Sequence, residues 1–233
     1  MKVSAKLVAL TQPTLQVPAA TSEEFVAFAA RVSSERNYED RAKDYDKLLK
    51  YCLKNKHFSV FEMSNAVVEV EAPRDITRQL LRHRSFSFQE FSQRYSDEIE
   101  FTERECRRQD NKNRQNSADD FDQDFKRDFV KGVGEIAQAL ATAYCQLRSL
   151  GVAKECARVI LPEGLTMSRL YVNGTLRSWI TYLEVRDDPG VTQWEHVLLA
   201  RKIKEVLLPA FPTVFGLLEE PNVPGTEYYN KEG

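Results

Sequence analysis

The sequence is poor in the residues from which metal centres, disulfide frameworks and membrane spans are built. Among 233 residues there are 3 histidines and 4 cysteines. Cys52, Cys106, Cys145 and Cys156 make no C-x-x-C pair and no zinc spacing with a histidine. No metal is therefore expected, and the cysteines read as structural residues of a protein kept in a reducing compartment. No apolar run approaches the roughly 20 residues of a membrane helix, and residues 1–20 lack a continuous signal-peptide core. A soluble, cytoplasmic protein without a membrane partner is expected. Formal net charge is only -2, too little positive charge to hold the whole body to nucleic acid, so any anion site must be local. No Walker P-loop occurs, and no serine, cysteine or histidine stands in a hydrolase motif.

What is present suffices for one hydrophobic core: 42% of residues are hydrophobic. Residues 2–10 suit a strand with Val3, Leu7, Val8 and Leu10 inward. Thr21 with Glu24 forms a capping-box pattern, after which Phe25, Phe28 and Ala29 recur at helical spacing. Residues 40–54 carry the stripe Tyr45, Leu48, Leu49 and Cys52; residues 64–71 are a β-branched run, and 74–82 return to helix. Residues 103–124 are almost wholly polar, and a mobile surface loop is expected near 103–120. From Phe121 to Leu147 apolar residues recur every three or four positions, marking a long helix that ends near Gly151. Further helices fit 153–161, 175–185 and 192–208. The pattern predicts an α+β fold, a single mixed α/β domain rich in helix over 1–233.

Gly132-Val133-Gly134-Glu135-Ile136-Ala137 matches the dinucleotide fingerprint G-x-G-x-x-A, but its context is helical rather than a strand followed by a turn, so the match is rejected. The unusual segment is 74–96, with five arginines. Arg74, Arg78 and Arg82 fall four apart on one helical face while Ile76 and Leu80 can face the core. Guanidinium groups match phosphate geometry and stay charged, so this ridge suits a phosphorylated ligand. Equally, arginines so spaced form an ordinary solvated face paired with carboxylates such as Glu90 or Glu98. Spacing and composition reach no further than a possible phosphate-binding enzyme.

Arg82-His83-Arg84 followed after seven residues by Ser92 resembles the R-H-R-x7-S signature of flavin-dependent thymidylate synthases. The likeness runs on through Ser92-Gln93-Arg94-Tyr95-Ser96 and back to Arg78-Gln79-Leu80-Leu81. It returns, in order along the chain, at residues 57–62, 157–162 and 174–186. The resemblance implies a mixed α/β protomer, a homotetramer with active sites shared between subunits, and FAD lying between chains. It implies reductive methylation of dUMP to dTMP with methylenetetrahydrofolate as carbon donor and NADPH as reductant. By the same resemblance Ser59, Arg82, His83, Arg84, Glu90, Thr175, Leu176, Arg177 and Thr181 map to flavin contacts, although family members often have His or Asn at the last. His57 maps near the flavin ring. Gln79, Leu80, Leu81, Arg82, Glu90, Phe91, Ser92, Gln93, Arg94, Arg158 and Arg186 map to dUMP contacts, with Arg186 as the catalytic group at the uracil edge.

Elementary chemistry supports these assignments. Arg94, Arg158 and backbone amides around Ser92 are the charge-assisted donors a 5′-phosphate needs. Ser92 has no evident base to activate it and is assigned to binding rather than to nucleophilic attack. Arg177 and Arg186 lie nine residues apart, on opposite faces if one helix carries both; either neighbouring subunits share them or the helix ends before Arg186. Two other readings compete: a nucleic-acid-binding module using the arginine segment with Phe86, Phe88, Phe91 and Tyr95 as stacking groups, and a flavoprotein that acts on another nucleotide.

Overall fold

The computed structural model describes residues 2–218. Four antiparallel strands form one sheet in the order β1 (Ser4–Leu10), β2 (Asn65–Pro73), β6 (Met167–Thr175), β3 (Ser87–Glu90). Alternation decides the faces: Ala66, Val68, Val70, Ala72, Leu170 and Val172 are fully buried, while Arg169, Tyr171 and Asn173 point outward. On the inward face lie α1 (Ser22–Ala30), α2 (Tyr45–Lys54), α3 (Arg74–Leu81), α6 (Leu176–Arg186), α7 (Trp194–Leu207) and α8 (Pro212–Phe215), all contributing to one core. Burying a side chain such as Leu170, Ile180 or Phe211 completely contributes about 1.5–3 kcal/mol each. The outcome is the expected mixed α/β fold with a single core.

Several local expectations hold and others are corrected. Thr21 caps α1, its hydroxyl accepting the Glu24 N–H at 3.2 Å. Within α1, however, the buried residues are Ser22, Glu23, Val26 and Ala27, while Phe25 and Phe28 are only half-buried. Val8 is exposed: the register with β2 shifts between Leu7 and Ala9, and this irregularity displaces it from the inward set. Helix α2 begins at Tyr45, preceded only by the short 3-10 turn Tyr38–Asp40. Periodicity passes over Met167–Thr175, yet this is the central strand; Leu170 and Val172 alternating with Arg169, Tyr171 and Asn173 was the available signal.

Residues 103–124 hold regular structure within their polar stretch. They carry a small ribbon, β4 (Arg108–Gln109) with β5 (Ser117–Ala118), whose turn is tied by Asp110 accepting the Lys112 and Asn113 N–H groups. Asn113 donates to the Gly190 carbonyl at 2.9 Å, and Arg107 forms a buried ion pair with Glu195 of α7. Arg107 and Asn113 thereby tie the segment to α7 and to the turn that precedes it.

Helix α4 (Gln123–Ser149) runs about 40 Å at 1.5 Å per residue. It contains the G-x-G-x-x-A match in its interior, so no nucleotide loop exists there. Gly151, with φ +81°, ends it: the Val152 N–H reaches back to Leu147 and the Gly151 N–H to Arg148, each at 3.0 Å. Only Tyr144 of this helix is buried. Phe125, Phe129 and Ile136 are 48%, 36% and 60% exposed, an apolar stripe that this chain leaves uncovered. The segment predicted helical over 153–161 is shorter, α5 (Lys154–Ala157) with a 3-10 turn Arg158–Ile160.

Candidate active site

The arginine ridge of α3 divides once its partners are known. Arg74 pairs with Glu90 at 3.7 Å and Arg78 with Glu163 at 2.5 Å, so both are matched by carboxylates, and Arg78 lies on the solvated face. Arg82, Arg84, Arg158 and Arg186 form no ion pair among the described residues. Four guanidinium groups without carboxylates leave a surplus of positive charge for an anionic ligand.

Arg186, the last residue of α6, donates from Nε to His83 Nε2 at 3.0 Å. His83 sits on the turn after α3, whose geometry is set by Phe86: that ring lies 4.5 Å from Trp179 and 5.9 Å from Tyr182, and pins the turn to α6. The His83 ring meets Tyr182 edge-on at 5.1 Å. Burial, with Arg186 and then Arg82 nearby, lowers the His83 pKa to about 4. The imidazole is therefore neutral at pH 7, with its proton on Nδ1 and Nε2 accepting from Arg186. Burial also lowers the Arg186 pKa, but the group stays cationic.

Behind this pair lies a buried polar chain that sequence reasoning missed. Tyr182 Oη is 3.1 Å from His196 Nε2, His196 Nδ1 is 3.2 Å from Gln79 Oε1, and Gln79 Nε2 donates to Gln193 Oε1 at 2.7 Å. The available signal was His196 itself, a polar residue on the face of α7 that also carries Val197, Leu199, Ala200, Ile203 and Leu207. A histidine in a core requires partners.

Strand β3 leads into the turn that holds the signature serine. Glu90 accepts from Ser168 Oγ at 2.8 Å and the Phe91 N–H bonds to the Arg169 carbonyl at 2.8 Å. Ser92 Oγ accepts the Arg94 N–H at 3.3 Å, while its carbonyl accepts from Tyr95 and Ser96. Its hydroxyl oxygen thus helps to shape the turn. Gln93 is buried, and Arg94 reaches Glu155 at 3.6 Å, against the helical turn that also carries Arg158. Lys154 fastens this region by donating to the Tyr95 carbonyl at 3.0 Å.

The remaining flavin-mapped residues gather at the other end of α6. Thr175 caps the helix, accepting the Ser178 N–H at 3.2 Å. Arg177 pairs with Glu62 on the 3-10 turn Phe58–Met63 that also carries the exposed Ser59. Thr181 is exposed one turn on, its hydroxyl bonded to the Arg177 carbonyl at 3.0 Å. The Leu176 and Leu80 side chains are fully buried, and the Leu176 N–H is committed to the Ser64 carbonyl at 2.9 Å. His57 is exposed, its ring 5.6 Å from Tyr51. Helix α6 does not end before Arg186, so Arg177 and Arg186 are separated by about 14 Å along one axis and half a turn around it. One chain brings Gln79, His83 and Arg186 together and holds Ser59, Arg177 and Thr181 apart from them.

The histidines carry a pH prediction. His83 and His196 fall from 6.5 to about 4 and about 3, chiefly through burial. An unfolded chain binds protons on both below pH 6.5 while the native one does not, so their stability contribution is complete above that pH. It is lost as pH falls toward about 4 and then about 3. Thermal unfolding monitored by circular dichroism should show Tm dropping across this window, with a total cost on the order of several kcal/mol. A Tm independent of pH between 6.5 and 4 would contradict the burial of these rings in neutral form.

Over 216 residues the chain is 44% identical to a flavin-dependent thymidylate synthase of Synechocystis sp., covering 92% of this chain and 98% of that one. The family model Thy1, thymidylate synthase complementing protein, matches residues 15–213. The chain belongs to the flavin-dependent thymidylate synthase family. As a flavin-dependent thymidylate synthase family member it is an enzyme, a methyltransferase. A probable flavin-dependent thymidylate synthase of Paramecium bursaria Chlorella virus 1 is 41% identical over 218 residues, 93% of this chain and 99% of that one. The fold is also that of a UMP/dUMP methylase, PolB of Streptomyces cacaoi, solved with 5-Br dUMP. That likeness has a TM-score of 0.76 at 24% identity, covering 92% of this chain and 94% of that one. The R-H-R-x7-S segment of this family member is therefore the segment that packs on α6 through Phe86 and His83.

Proposed function

We propose that this enzyme methylates dUMP to dTMP, with methylenetetrahydrofolate as carbon donor and FAD reduced by NADPH as hydride source. We further propose that it works as a cytoplasmic homotetramer whose active sites are shared between subunits. The observation that carries this reading is Arg186: half-buried, without a carboxylate partner among the described residues, and held by a neutral imidazole. A fixed guanidinium at the uracil edge favours the enolate-like form of the ring and enriches electron density at the carbon to be methylated. Gln79, Arg82 and the segment Glu90 to Arg94 would line the nucleotide, with Leu80 and Leu81 as its apolar support. Arg158, joined by Arg94 released from Glu155, would take the 5′-phosphate.

Ser59, Thr175, Arg177 and Thr181 fit a flavin phosphate. They combine hydroxyls and a guanidinium beside a helix N-terminus, and Glu62 occupies only one end of the Arg177 fork. Leu176 seats Arg177 by its burial, while Arg82, His83, Arg84 and Glu90 would meet the cofactor from the nucleotide side. Bound FAD supplies the redox capacity that none of these side chains has. Two observations support shared sites. The flavin set and Arg186 diverge by half a turn within one chain, and α4 presents Phe125, Phe129 and Ile136 to solvent.

Tritium release from 5-tritiated dUMP tests the activity, with FAD, NADPH and methylenetetrahydrofolate supplied together and then omitted singly. Release that needs all three is expected; release from UMP at equal rate would replace dUMP by a broader substrate, and none from flavin-loaded protein would overturn the reading. Arg177→Ala should lower flavin occupancy about tenfold or more at limiting FAD, the scale of one lost charge-assisted contact, as read by absorbance after gel filtration. Unchanged occupancy would remove Arg177 from the cofactor site.

A further inference from the structure

Tyr182, His196, Gln79 and Gln193 form a chain of hydrogen bonds that no assigned role explains. Its donors can be ordered from one end. Tyr182 is fully buried, and the only bond its hydroxyl makes among the described residues is to His196 Nε2 at 3.1 Å. A buried O–H without an acceptor is costly, so the hydroxyl donates and Nε2 accepts. A neutral imidazole then carries its proton on Nδ1 and donates it to Gln79 Oε1 at 3.2 Å. That leaves the Gln79 amide nitrogen facing Gln193 Oε1 at 2.7 Å with one N–H, and its second N–H uncommitted. Every member of the chain is fixed by the one before it. Gln79 itself is only half-buried, at the edge where α3 passes into the Arg82-His83-Arg84 turn.

We infer that His196 is a positioning residue: it fixes the orientation of the Gln79 amide so that its free N–H meets a hydrogen-bond acceptor on the pyrimidine nucleotide. This rests on the proposed dUMP contact of Gln79. Burial, which holds His196 well below its ordinary pKa, keeps the ring neutral and the chain in one direction. With a leucine in its place the amide carbonyl loses its donor and only the contact with Gln193 still directs it, so it can turn that carbonyl toward the ligand's acceptor, a repulsive pairing.

The first measurement is the tautomer of His196 in nitrogen-15-labelled, flavin-loaded enzyme at pH 7. A proton on Nδ1 alone is expected; a proton on Nε2, or an imidazolium, overturns the inference. The second is kinetic. His196→Leu should raise the dUMP KM about tenfold with a smaller fall in kcat, the scale of one misdirected hydrogen bond. His196→Asn, whose amide can still donate toward Gln79, should recover most of it. Tyr182→Phe should give an intermediate rise on its own and no further rise in the His196→Leu background, as coupled neighbours do. Should His196→Leu not fold, an unchanged KM in Tyr182→Phe together with His196→Asn overturns the role. Wild-type enzyme that turns over dUMP while His196→Leu keeps its KM removes the positioning role and leaves the activity intact. Wild-type enzyme that neither binds nor converts dUMP removes the activity, and the tautomer remains readable by itself.

Discussion

Arg186→Ala is expected to keep its flavin and to lose about 10²–10³-fold in kcat, the range for removing one preorganised donor from a developing negative charge. The separation of the two outcomes comes from α6. Arg186 lies at the C-terminal end of the helix with His83, whereas Arg177, Thr175 and Thr181 lie at or within two turns of its N-terminal end. Folding should survive, since Arg186 makes no ion pair among the described residues and its removal leaves His83 Nε2 within reach of water. Arg186→Lys should recover only part of the activity, because an ammonium lacks the planar fork. A second readout is independent of turnover: with the neighbouring charge gone, the His83 pKa should rise from about 4 toward its ordinary value, as followed by proton NMR. Wild-type turnover in Arg186→Ala would remove the residue from the reaction; an unmoved His83 would contradict their contact.

Gly174→Ala should be a strongly damaging methyl addition. A Cβ at Gly174 would overlap two carbons of the Phe86 ring and stand 3.3 Å from Ser178 Cβ. Phe86 cannot retreat, for Trp179 and Tyr182 hold its other faces. Overpacking of this kind costs about 1–3 kcal/mol, and here relief requires moving the turn that carries Arg82, His83 and Arg84. Loss of stability in denaturant and loss of dUMP affinity should therefore appear together. Gly132→Ala is the control: nothing lies within 4 Å of its added Cβ, and alanine is the better helix former, so α4 should gain slightly. Equal stability of the two variants would refute the Phe86 plug.

Much of the architecture was legible along the chain because it depends on local rules. The Thr21 cap, the α2 stripe, the edge strand β1 and the end of α4 at Gly151 each follow from a few neighbouring residues. Strand β6 escaped because it shades directly into the α6 cap at Thr175. At 103–124 polarity hid a small ribbon, in which Arg107, Asn113 and Asp110 find partners within the protein. For the arginines, spacing could not say which were satisfied; only the positions of Glu90 and Glu163, brought in from other elements, separate Arg74 and Arg78 from Arg82.

The sequence by itself determined the family, through motifs that recur in order along the chain, and it determined the periodicities that make the longer helices and the strands β1 and β2. Tertiary structure alone decided which end of α6 each motif packs against, that His83 is a neutral acceptor for Arg186, and that His196 stands behind Gln79. The physical reason is that periodicity reports which face of an element is apolar, a property of neighbours in the chain. Hydrogen-bond direction, ion pairing and desolvation depend on groups 80 to 120 positions away, and those are set only when the sheet and its helices pack.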